Sequence, residues 1–66
     1  MQAIYFVSGP SARGIENREI AVEMGEFTDN EYLTFIHSKW AWAASKIAKE
    51  QYGYNSISRI EFKRLN

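Results

Sequence analysis

The stretch T-D-N-E-Y-L-T-F-I-H-S-K-W-A-W-A-A-S-K-I-A-K-E-Q-Y, from Thr28 to Tyr52, decides how the rest of this chain is read. Its apolar residues recur at helical spacing, and both of its ends carry stop signals. Thr28 with Glu31 makes a capping box, in which each side chain satisfies a free amide of the first turn. Phe27 before the cap and Tyr32 after it form a hydrophobic staple. Asp29 and Glu31 suit the positive N-terminal end, and Lys46 and Lys49 the negative C-terminal end. Gly53 stands where a left-handed cap ends a helix.

Outward from this helix, three segments read as strands. Gln2 to Ser8 is β-branched and aromatic, with Ile4 and Phe6 on one face and Tyr5 and Val7 on the other. A strand apolar on both sides belongs in the middle of a sheet. Ser8 to Asn17, with two Gly, one Pro and two Ser, reads as a loop. Arg18 to Met24 alternates, with Ile20, Val22 and Met24 on one face, and Gly25 ends it. Ser56 to Leu65 alternates again: Ser58, Ile60 and Phe62 face one way, and Ile57, Arg59, Glu61 and Lys63 face the other. Outward charges of this kind mark an edge strand.

The order is therefore β-β-α-β in a single α+β domain spanning residues 1–66. Placing the first strand in the centre predicts a three-stranded antiparallel sheet of order 2-1-3, with one long helix packed on one face. The rival order 1-2-3 needs a parallel crossover. A strand signal that begins almost at Met1 predicts a complete small protein.

Composition narrows the function classes. Eight basic and eight acidic side chains balance to zero, so the basic excess that usually marks a nucleic-acid binder is missing. No apolar run exceeds the five residues of Ala3 to Val7, far too short to cross a bilayer, and no secretory leader is expected. Zero Cys excludes disulfides and thiolate metal sites and suits the cytoplasm.

At about 100° per residue, Leu33, Ile36, Trp40, Ala44 and Ile47 form one stripe of the helix, flanked by His37, Ala43 and Ala48. This stripe is expected to pack on Ile4, Phe6, Ile20, Val22, Ile60 and Phe62. Phe35 and Trp42 point the other way, with Lys39, Lys46 and Lys49 around them and Tyr32 at the border. Burying one such aromatic is worth roughly 1.5–3 kcal/mol, so a second aromatic face invites a partner. A helix of about 24 residues is roughly 36 Å long, whereas the strands span only roughly 20–23 Å. The helix would overhang its sheet, and so short a chain has little stability to spare. Association through Tyr32, Phe35, Lys39, Trp42 and Lys46 answers all three, with a homodimer first and another protein second.

No constellation supports chemistry. His37 has no nucleophile or orienting acid within helical reach, so it reads as structural. Ser8 to Gly14 imitates a phosphate loop, but Ile15 and Glu16 stand where Lys and Ser or Thr should, and a strand follows instead of a helix. It reads as a hairpin loop with Arg13 exposed at its tip. Glu16, Glu19, Glu23 and Glu26 lack the spacing of a metal site and are expected to pair across the outer sheet face with Arg59 and Lys63. No enzyme, cofactor, metal, membrane surface or small-molecule substrate is therefore expected. The leading reading is a non-enzymatic interaction or regulatory protein, analogous by size to phage and mobile-element accessory proteins. The alternative is a nucleic-acid-binding regulator that uses Lys49, Arg59, Lys63 and Arg64.

Overall fold

The computed structural model describes residues 1–25 and 39–66. Strand β1 (Gln2–Ser11) and strand β2 (Gly14–Glu23) form a hairpin, helix α1 covers Lys39–Tyr52, and strand β3 (Arg59–Leu65) closes the sheet. The sheet order is β2-β1-β3 and both pairings are antiparallel, as the two-sided apolarity of β1 implies. The helix is continuous to Tyr52, and Gly53 follows it with φ at 74°. The Tyr54 amide then donates to the Ala48 carbonyl at 3.2 Å, closing the end of the helix. The expected start of the helix, with the Thr28 and Glu31 capping box, the Phe27 staple and the residues Leu33, Ile36 and His37, lies outside the described residues.

Three expectations need correction. The segment Ser8 to Asn17 is not a loop. β1 and β2 pair through it, Ser8 with Asn17, Gly9 with Glu16 and Pro10 with Ile15, until only Ala12 and Arg13 remain to turn the chain. The left-handed step falls on Gly14, at φ 111°, where no Cβ resists it. Ser11 Oγ accepts the Arg13 amide at 3.1 Å and steadies the turn. Pro10 is tolerated because β3 has ended by then: its carbonyl accepts Asn55 N–H at 2.7 Å on that side, so its own missing donor breaks no strand ladder. Arg13 is not a free tip either. It pairs with Glu16 at 3.0 Å and donates to the Tyr52 carbonyl at 3.4 Å, strapping the hairpin to the helix end.

The second correction concerns the core. The helix covers the Tyr5 and Val7 face of β1, not the Ile4 and Phe6 face. Register decides it: Tyr5 stands opposite Ile20 and Phe62, and Ala3 opposite Val22, so these share a face with the buried side of β2. Ala3, Tyr5, Val7, Ile20, Val22 and Met24 are all buried there against Trp40, Ala44 and Ala48. Tyr5 and Phe62 meet edge to face at 5.7 Å, the favoured geometry for an aromatic pair. Ile60 joins this side as expected.

Third, β3 starts at Arg59 and not at Ser56. The chain before it carries Tyr54, 3% exposed, whose hydroxyl donates to the Val7 carbonyl at 3.0 Å. Ile57 also packs against the core from this stretch. Gly9 permits the approach: a Cβ there would lie 2.2 Å from the Ser56 carbonyl oxygen.

Candidate functional site

Two alanines set the helix down close to the sheet. Ala44 and Ala48 are fully buried, and Trp40, 6% exposed, is the one bulky helix residue in the buried core among the described residues. Close seating on one side fixes what lies on the other. Trp42 stands about 200° around the helix from Trp40 at 100° per residue, so it has no route to the sheet. Its side chain is 76% exposed. Together with Ser45, Lys46, Lys49 and Glu50 it lines an open groove of about 300 Å³. These positions are three, four, seven and eight residues beyond Trp42, the spacing of one helix face.

The predicted interaction residues divide. Trp42 and Lys46 lie together in the groove wall. Lys49, predicted as a nucleic-acid contact, joins them there. Lys39 turns elsewhere, with its ammonium 5.9 Å over the Trp40 ring. Tyr32 and Phe35 lie outside the described residues. Ser45 and Glu50 are not among the interaction residues expected from the sequence, although their spacing from Trp42 places them on its face.

The remaining candidates sit on the opposite surface. Arg59, Lys63 and Arg64 belong to the face of the sheet turned away from α1, so the structure does not join them to Lys49. Each is already engaged. Arg59 and Lys63 both pair with Glu61, Lys63 at 3.1 Å, and Arg64 pairs with Glu19 at 3.1 Å. Arg59 and Lys63 also lie over the Phe6 ring, at 6.0 and 5.7 Å. The expected pairing of Glu19 and Glu23 with Arg59 and Lys63 is thus replaced. Glu19 takes Arg64 at 3.1 Å, and Glu23, opposite Gln2, takes the N-terminal ammonium at 3.3 Å, while Arg59 and Lys63 turn to Glu61 on their own strand.

The charge ledger is uneven. Glu16 binds Arg13 and Arg18, each at 3.0 Å. The hydrogen bond from Arg18 holds the Glu16 carboxyl below its ordinary range, and the same bond raises Arg18. Arg18 in turn lies 4.0 Å over the Tyr52 ring. So all five cationic side chains of the sheet and its hairpin are ion-paired. The three helix lysines, Lys39, Lys46 and Lys49, form no ion pair among the described residues. Lys46 and Glu50 stand one turn apart without closing one.

Among the described residues no helix is long and apolar enough to cross a membrane. His37 lies outside them. Compared with protein-family models, curated proteins and solved structures, the chain matches none.

Proposed function

We propose that the chain is a small non-enzymatic interaction module, and that another polypeptide covers the outward face of α1. The observation that carries this reading is the exposure of Trp42, at 76%, beside a groove walled by two lysines that form no ion pair among the described residues. Leaving such a ring in water forgoes roughly 1.5–3 kcal/mol of burial, which a partner recovers. Aromatic anchors of this kind, set among polar neighbours, are what protein interfaces concentrate their energy on. The covering chain is a second copy or a different protein. Zero Cys suits a reducing compartment, and a regulatory accessory role fits the size of the chain.

Site-specific photocrosslinking in the cells that express the protein tests this. A photoreactive residue replacing Trp42 is expected to give a discrete protein adduct, at dimer mass or above. The same residue replacing Ile15, which is 69% exposed on the hairpin, is expected to give none. An equal smear from both positions, or an adduct that nuclease removes, defeats the reading.

A further inference from the structure

We infer that the occupant of the Trp42 groove is an acidic polypeptide segment that carries one bulky apolar side chain. The inference rests on the interaction reading above and gives the partner its chemistry.

Charge supplies the first reason. Helix α1 carries three Lys against one Glu, and none of the three lysines is ion-paired among the described residues, whereas every other Lys or Arg in the chain is. On the sheet and its hairpin every cation is neutralised by a carboxylate of the chain, whereas Lys46 and Glu50, one turn apart on the helix, close no pair. Two ammoniums left without an ion pair among the described residues, beside Trp42 in the groove wall, therefore match carboxylates that come from outside. Trp42 supplies the second reason. Its ring offers a face for an aliphatic or aromatic side chain, and about 300 Å³ is the low end of the range for a binding pocket. That suits a single anchoring residue and not a broad docking surface.

The same features disfavour the other two occupants. A second copy docked by two-fold symmetry on this face brings together the Lys46, Lys49 and Glu50 of both copies, a net positive excess that opposes association. A phosphate backbone meets Glu50 in the groove wall, and the basic residues that would extend a phosphate track lie on the far side of the sheet, paired. Glu50 suits a peptide better, since it accepts hydrogen bonds from peptide amides or hydroxyls.

The test uses the full chain and a short synthetic peptide of Asp and Glu residues around one central Phe. Trp emission and amide chemical shifts along residues 39–52 report binding. Three further probes accompany it: the same peptide with Asn and Gln in place of the acids, the acidic peptide with Ala in place of Phe, and an oligothymidylate. The acidic Phe peptide is expected to shift the Trp42 and Lys46 to Glu50 signals and to weaken with salt. A Lys46→Gln, Lys49→Gln double variant, with both substitutions at exposed positions, is expected to bind roughly threefold to tenfold more weakly while melting as the parent does.

Equal binding of the Asn and Gln peptide overturns the acidic preference, and equal binding of the Ala peptide overturns the anchor. Tighter binding of the oligothymidylate, or sedimentation as a dimer that Trp42→Ser dissolves, replaces the occupant. Absence of any shift with the acidic peptide also overturns the inference. In that case a protein adduct at position 42 keeps the interaction reading standing, and loss of that adduct removes both.

Discussion

On the face of the sheet turned away from α1 Phe6 lies beneath Arg59 at 6.0 Å and Lys63 at 5.7 Å, and both cations share Glu61. On the far side of the helix Trp42 lies bare beside Lys46 and Lys49, which share no carboxylate among the described residues. The ingredients are alike: an aromatic ring, two cations and a glutamate within reach. The sheet combines them into a closed surface, because neighbouring strands bring alternate side chains within contact distance. The helix only spaces them one turn apart, and Glu50 closes no ion pair with either lysine among the described residues. One surface is finished by the fold itself, while the other has valences to spare.

The two tryptophans give the sharpest way to break this comparison. Trp40 and Trp42 stand two residues apart on one helix, yet one is 6% and the other 76% exposed. Trp40→Ala removes the bulky core residue of the helix and is expected to cost about 3–5 kcal/mol. A domain of this size has little more than that to lose, so the variant should be largely unfolded by circular dichroism at room temperature. Trp42→Ala is expected to leave stability within about 0.5 kcal/mol, because the residue is 76% exposed. A large loss from Trp42→Ala in the monomer would mean that the outward face is internal after all, and the proposed function would fall with it.

The closed side has its own seam, where the chain between helix and β3 crosses β1. Gly9→Ala places a methyl group 2.2 Å from the Ser56 carbonyl oxygen, backbone against backbone. The expected loss is about 1–3 kcal/mol in urea unfolding, the usual cost of forcing atoms into a filled space. A neutral outcome would show that residues 54–58 are not held against β1. Tyr54→Phe probes the same seam more gently. It removes only the hydroxyl that donates to the Val7 carbonyl, at an expected cost of about 0.5–1.5 kcal/mol. Gly9→Ala should exceed it, and the reverse order would mean that the hydrogen bond and not the close approach holds the seam.

The contrast between the surfaces was half legible in the sequence. The exposed position of Trp42 followed from helical spacing alone, since Trp40, Ala44 and Ala48 define the buried stripe and 42 lies opposite. Strand order was legible because β1 is apolar on both faces and so belongs in the centre. That same property hid which face is the inner one. Ile4 with Phe6 and Tyr5 with Val7 are equally apolar, and only register against Ile20 and Phe62 separates them. Pro10 and Gly9 read as loop residues because each weakens an ordinary strand. Here β3 ends before Pro10, and Gly9 admits the Ser56 backbone. The shielding of Phe6 by Arg59 and Lys63 needed the β3 alignment, which no single segment carries.

The smallest expected effect is acid sensitivity, and it belongs to the sheet side. Glu16 is held low by its hydrogen bond from Arg18, Glu23 by the Gly25 amide and the N-terminal ammonium, and Glu61 by Arg59 and Lys63. A carboxyl whose folded pKa lies below its unfolded value, near 4.5, binds its proton more readily when unfolded. The stability it contributes is complete above that value and drains away as the pH falls through the lower folded one. Urea midpoints measured from about pH 6 down to pH 2 should therefore fall at the acid end. Each pair is exposed, so each share is small. Glu16→Gln should flatten the slope most, because Glu16 serves two arginines and the Ser11 hydroxyl. If Glu16→Gln left the slope unchanged, the sheet side would not be neutralised by its own carboxylates in the way its ion pairs imply, and the open lysines would no longer set the two sides apart.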